Sequence, residues 1–148
     1  MKFALLLHLL GAVVWIGGMF FAYFALRPAA ASLEPPHRLP LWTETLGRFF
    51  AWVWISVVLI LGSGFYMLTA IAGVTRVPLN VHLMLYVGAL MAFIFAYVFL
   101  VPFSALKRAV AAQDWASGAT ALEGIRKAVA VNLALGLVNI AIATTGQM

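Results

Sequence analysis

Four apolar blocks, each long enough to cross a lipid bilayer as a helix, constrain this chain more than any other feature of its sequence. A hydrocarbon core takes about 20 helical residues at about 1.5 Å each. The blocks run over about 3–26, 49–71, 79–101 and 128–144. The first ends at Arg27-Pro28, a charge followed by a residue that disfavours further helix. The second lies between Arg48 and Gly73-Arg76, the third between Pro78 and Val101-Pro102, and the fourth follows Arg126-Lys127. With 66% apolar and 9% charged residues and a mean hydropathy of +1.09, the chain lies far from the balance of water-soluble domains. The expected fold is all-α: one transmembrane domain over residues 1–148, an up-down four-helix bundle in the membrane. A signal peptide competes for the first block, since Lys2 precedes the apolar run and Ala29-Ala30-Ala31 resembles a cleavage site. The run is too long for the 7 to 15 residue core of such a signal, which favours a mature helix.

Cations fix the expected orientation. Four spans leave both termini on one side, and that side holds only Lys2 and Arg76. The other holds Arg27, Arg38, Arg48, Lys107, Arg108, Arg126 and Lys127, so the positive-inside rule makes 27–48 and 104–127 cytoplasmic loops and places both termini outside. Basic residues that flank spans report topology, which argues against nucleic acid as a partner. In the first loop, Pro28, Pro35, Pro36 and Pro40 predict an irregular crossing over 29–41 that carries His37. In the second, Leu106, Val110, Leu122 and Ile125 keep a helical rhythm that Gly118 is expected to break. All four acids, Glu34, Glu44, Asp114 and Glu123, fall on this basic side. Trp42, Trp52, Trp54 and Trp115 match an interfacial aromatic belt.

Missing residue types narrow the chemistry. The chain has no cysteine, which removes thiolate metal sites, iron–sulfur clusters, disulfides and cysteine nucleophiles. No carboxylate lies within the four spans, which argues against a proton pump or a carrier of hard cations.

Two histidines remain at bilayer depth, where polar side chains are functional candidates by default. His8 lies near the start of the first span and His82 near the start of the third. These spans run parallel in an up-down bundle, so both imidazoles are expected near the outer face, offset by only about 3 Å. Helices on a bundle diagonal lie roughly 11–14 Å apart, room for one porphyrin between two inward-facing rings. From His8 the expected inward stripe reads Gly11, Ala12, Trp15, Gly18 and Met19; from His82 it reads Tyr86, Ala89, Phe93 and Ala96. Such small residues clear space for a macrocycle or, equally, allow close helix packing. Span two offers Ser56, Ser63 and Met67, and span four offers Asn132, Gly136 and Asn139. Asn139 is placed to bond a histidine, a cofactor propionate or a neighbouring helix, and Arg76 is the cation nearest a propionate at the outer face.

The run His8 to Gly18, His-x6-Trp-x-Gly-Gly with an Arg-Pro exit, resembles the opening helix of the copper resistance protein D-like membrane proteins. Val81-His82-Leu83-Met84-Leu85 is similar to their third helix, and Pro102, Lys107-Arg108 and Arg126 before Asn132 fit the remainder. More remotely, the pattern resembles the HemJ-type protoporphyrinogen oxidases, four-span proteins associated with haem b. Those carry a lysine two residues after the third-helix histidine where this chain has Met84, which weakens a transfer of the oxidase activity. The resemblance implies a multi-pass protein of the bacterial inner membrane.

Two functional classes follow. The first is a haem b protein with His8 and His82 as axial ligands, lined by Gly11, Trp15, Gly18, Tyr86 and Asn139. It would move electrons between a quinol or porphyrinogen-type reductant and a partner near the outer face. The second is copper handling, in which His8, His82, Met67 and Met84 offer imidazole and thioether donors, the latter favouring Cu(I), with a periplasmic copper-binding partner. A structural subunit, with histidines bonded only to other helices, is the third reading, and each is compatible with a homo-oligomer.

Because seven of the nine cations flank one side, a reporter fused after Met148 is expected to read as periplasmic and one inserted near Ser117 as cytoplasmic. The reverse pattern of reporter activity would invert the bundle.

Overall fold

The computed structural model describes residues 1–72 and 77–146, with nothing of the Ala72 side chain. In chain order the elements are α1 (Lys2–Phe21), a π-helical turn (Ala22–Leu26), α2 (Arg27–Ala30), α3 (Pro35–Ala72), α4 (Leu79–Leu100), α5 (Pro102–Ala111) and α6 (Trp115–Thr145). Every described element is helical. Four stretches are long and apolar enough to cross a membrane: Lys2–Ala30, Pro35–Ile71, Leu79–Ala111 and Trp115–Thr145. All four exceed the spans read from hydropathy, because each helix continues past the lipid into the basic end of the bundle.

Prolines stop these helices less than expected. The helix runs on past Arg27-Pro28 to Ala30 through the π turn, where the Arg27 N–H bonds to the Ala22 carbonyl five residues back. Such local adjustment absorbs the proline that disrupts an ordinary ladder. The expected irregular crossing over 29–41 reduces to a short turn before α3. Pro35 and Pro36 occupy the first turn, where backbone N–H groups lack intrahelical partners in any case. Pro40 lies inside the helix, where the lack of its N–H leaves the Pro36 carbonyl without the usual donor four residues on. Between α5 and α6 the chain breaks at Gln113, whose φ of 54° is left-handed, and not at Gly118. Asp114 caps α6 by accepting from the Ser117 N–H at 3.2 Å, and these bonds hold its carboxyl below the usual carboxylate range. Gly118 instead lets α6 approach α3, since a Cβ there would lie 3.0 Å from Leu39 Cδ1.

Two antiparallel hairpins make the bundle. α1 packs most extensively on α3, α4 and α5 pack on α6, and α6 also touches α1 and α3. The backbones of α1 and α4 stay apart, at opposite corners. Between them an aromatic core fills the centre: Trp15 meets Phe95 edge-on at 6.1 Å, Phe95 meets Phe50 at 5.4 Å and Trp54 at 4.9 Å, and Phe50 meets Phe103 at 4.9 Å. Trp54 thus packs inside the bundle as well as facing outward. The outer surface is covered in exposed Leu, Val, Ile and Phe, as lipid contact requires.

Close approach of α1 to α3 rests on glycine. A Cβ at Gly11 would lie 2.9 Å from Ile60 Cγ1 and 3.1 Å from the Ser56 carbonyl oxygen, whereas Gly17 has nothing within 4 Å. Gly11→Val is therefore expected to destabilise the bundle by about 1–3 kcal/mol. Gly17→Ala is expected to be neutral, or stabilising by up to about 1 kcal/mol. Thermal unfolding of the two variants in one detergent checks the contrast.

Candidate functional site

His8 sits half-buried in the seam between α1 and α3. Its Nδ1 lies 3.1 Å from the Ile60 carbonyl and 3.1 Å from Ser63 Oγ. The serine hydroxyl donates to the Leu59 carbonyl at 2.5 Å, so its oxygen is free to accept from the ring. A carbonyl only accepts, and both partners therefore assign the proton to Nδ1. Nε2 keeps its lone pair and has no hydrogen-bond partner among the described residues. Gly64 borders the ring: a Cβ there would stand 3.4 Å from His8 Cε1, in ordinary van der Waals contact. A carbonyl and a hydroxyl on one nitrogen, with the other left open, is how an outer set of hydrogen bonds orients a metal-binding imidazole.

The expected inward stripe on α1 is where the sequence places it. Gly11, Trp15 and Met19 are buried, with Ala12 and Gly18 half-buried. Its small residues are already occupied by packing: Gly11 lies against Ile60 and Ser56, and a Cβ at Gly18 would overlap the Phe49 ring. Asn132 and Gly136 on α6 are buried and Asn139 is half-buried, as their spacing predicts.

On α4 the stripe lies on the other side. His82, Tyr86, Ala89 and Phe93 are exposed, Tyr86 at 67% and Phe93 at 75%, and among the described residues His82 Nδ1 bonds only to the Pro78 carbonyl one turn back, at 3.2 Å. The inner face is instead Met84, Gly88, Met91, Phe95 and Val98. Two residues along a helix is about 200° of rotation, so a face counted from His82 points away from one counted from Met84. Asn139 Nδ2 donates to the Met84 carbonyl at 3.4 Å, so this asparagine serves α4 and not a histidine ring. The partner of His8 is Ser63, whose place in the antiparallel register was the available signal. Arg76 lies outside the described residues.

These placements bear on both cofactor expectations. The two histidines stand on helices at opposite corners, as a diagonal pair would, but His82 is exposed while His8 is half-buried. As placed, the His82 ring is not turned toward a porphyrin shared with His8 of the same chain. Among the described residues no three His, Asp or Glu side chains gather where a metal ion would be held. Toward the end of the bundle opposite the basic residues, His8 is the half-buried imidazole. Met67 follows Ser63 by one turn of α3, and both Met67 and Met84 are half-buried.

No curated protein and no solved structure matches the chain. A family model, copper resistance protein D, matches residues 43–145. That range is more than half of the chain; it includes Ser63, Met67, His82, Met84 and Asn139 and leaves out the helix that carries His8. Four apolar helices and this match together establish that the chain is a membrane protein belonging to the copper resistance protein D family.

Proposed function

We propose that this protein handles copper as cargo in the membrane, taking Cu(I) at the end of the bundle opposite the basic residues. The observation that carries the reading is the open Nε2 of His8, presented by a ring whose other nitrogen is committed to Ile60 and Ser63. Met67 on α3 and Met84 on α4 supply thioethers within the outer turns of their helices. Imidazole and thioether are soft or borderline donors that suit Cu(I), and the absence of carboxylates from the spans disfavours hard divalent ions. A Nδ1–H bonded to a carbonyl also raises the basicity of Nε2 and so its affinity for the metal. Family membership points to the same element. A haem held by two histidines needs His82 turned inward or supplied by a second chain, and no contact of His82 favours that. Electron transfer and a quinol partner fall with it in this reading.

Titration of the purified chain with Cu(I) under reducing conditions tests the proposal. His8→Ala is expected to abolish stoichiometric binding, and Ser63→Ala to weaken it by roughly tenfold through loss of ring orientation. Met67→Leu with Met84→Leu nearly preserves volume and is expected to remove binding, while the buried Met91→Leu leaves it intact. Unchanged stoichiometry in the double variant would reduce these methionines to packing. An absorption spectrum separates the alternatives: a Soret band lost in both His8→Ala and His82→Ala would replace the copper reading with the haem one.

A further inference from the structure

At the basic end of the bundle, the π turn, α2, α3 and α6 line a cleft of about 310 Å³. Its charged lining is Arg27, Arg38, Arg126 and Glu123. Glu123 is taken up by Arg126, whose Nε donates to Oε2 at 2.8 Å while its Nη2 meets the other carboxylate oxygen. Among the described residues the other ion pair is Arg48 with Glu44, so Arg27 and Arg38 face the cleft with no carboxylate bonded to them. The Arg27 guanidinium lies 5.2 Å from the Tyr23 ring centroid, and Arg38 spends one N–H on the Leu33 carbonyl at 3.3 Å. Each guanidinium has five N–H donors, so both retain donors for a ligand. The remaining walls are apolar, with Leu39, Leu122 and Val129 among them. The π turn over Ala22–Leu26 forms one side and carries Tyr23; such turns often mark functional sites.

Two unpaired guanidiniums at the mouth of an apolar cleft, where membrane helices pass into their polar extensions, fit an anion that brings its own apolar part. We propose that this cleft binds an anionic phospholipid, its phosphate between Arg27 and Arg38 and an acyl chain along Leu122 and Val129. Fork-shaped guanidinium donors recognise phosphate oxygens through paired hydrogen bonds, and basic pockets between membrane helices take acidic headgroups in this way. The ring of Trp42, buried in the cleft wall, and that of Tyr23 sit at the level that interfacial aromatics favour. The proposal is independent of the copper site at the opposite end of the bundle.

The test uses the full chain in detergent, with native mass spectrometry reading retained lipid after addition of phosphatidylglycerol or phosphatidylcholine. Wild type is expected to keep one phosphatidylglycerol in preference to phosphatidylcholine. Arg27→Gln with Arg38→Gln is expected to lower that retention by about 30-fold, roughly fivefold for each cation. Arg48→Gln, outside the cleft, leaves retention unchanged. Ala119→Trp fills the cleft without altering a charge and is expected to displace the lipid too, which decides the matter if the double arginine variant does not fold. Equal retention of the two lipids by wild type, or full retention of phosphatidylglycerol in Ala119→Trp, would overturn the proposal. Displacement of the lipid by millimolar inorganic phosphate, with the phosphate itself retained, would also overturn it by assigning the cleft to a free anion.

Discussion

The seating of Gly11 on the Ser56 carbonyl is the contact on which the half of the bundle opposite the basic residues depends. It brings α1 and α3 so close that a Cβ at Gly11 would lie 3.1 Å from the Ser56 carbonyl oxygen, tighter than ordinary contact. In an antiparallel pair that one contact fixes the register along the whole seam. Seven residues inward, Gly18 meets Phe49; three residues outward, His8 meets Ile60, Ser63 and Gly64. The imidazole is thus held by the same geometry that holds the helices, and its tautomer follows from which atoms the register sets beside it. A half-buried ring with one nitrogen committed and one open costs little to hold and is ready to accept a ligand.

How much of this was legible in the sequence differs by helix, for a physical reason. Span count, helical class and the basic end follow from hydropathy and charge, because the bilayer imposes length and the interface attracts cations. The inner faces of α1 and α6 were legible as well: Gly11, Trp15 and Gly18 in one, Asn132, Gly136 and Asn139 in the other, mark a side by size or polarity. Leu79–Leu100 carries few such marks. Lipid tails are as apolar as a core, so the pattern that separates inside from outside in a water-soluble helix vanishes. His82 was then the natural guide to the inner face, and it lies on the outer one. Rotation of this helix about its axis was not there to be read.

Breaks between helices were misjudged for a related reason. Proline and glycine signal an ending through what they deny the backbone, and that denial matters only where a bond would otherwise form. Pro35 and Pro36 stand where no intrahelical bond is due, and Gly118 lies in mid-helix against Leu39. The true break between α5 and α6 falls at Gln113 and Asp114, where a left-handed residue and a capping carboxylate act together.

The second hairpin is locked by polar bonds rather than by glycine. Asn132 Nδ2 donates to the Met91 carbonyl at 3.2 Å and Asn139 Nδ2 to the Met84 carbonyl at 3.4 Å. Donors seven residues apart on α6 thus meet acceptors seven residues apart on antiparallel α4, two helical turns in each. These clamps set the rotation of α4, turning Met84 and Met91 inward and His82 outward. Each hairpin is therefore fixed internally, and the two meet through the aromatic core around Phe95 and where α6 touches α1 and α3. On the copper reading, His8 and Met67 belong to one hairpin and Met84 to the other. A donor set drawn from both spans the seam between two separately locked bodies, so a small shift of one hairpin against the other would change the number of donors within reach of the metal while leaving each hairpin intact.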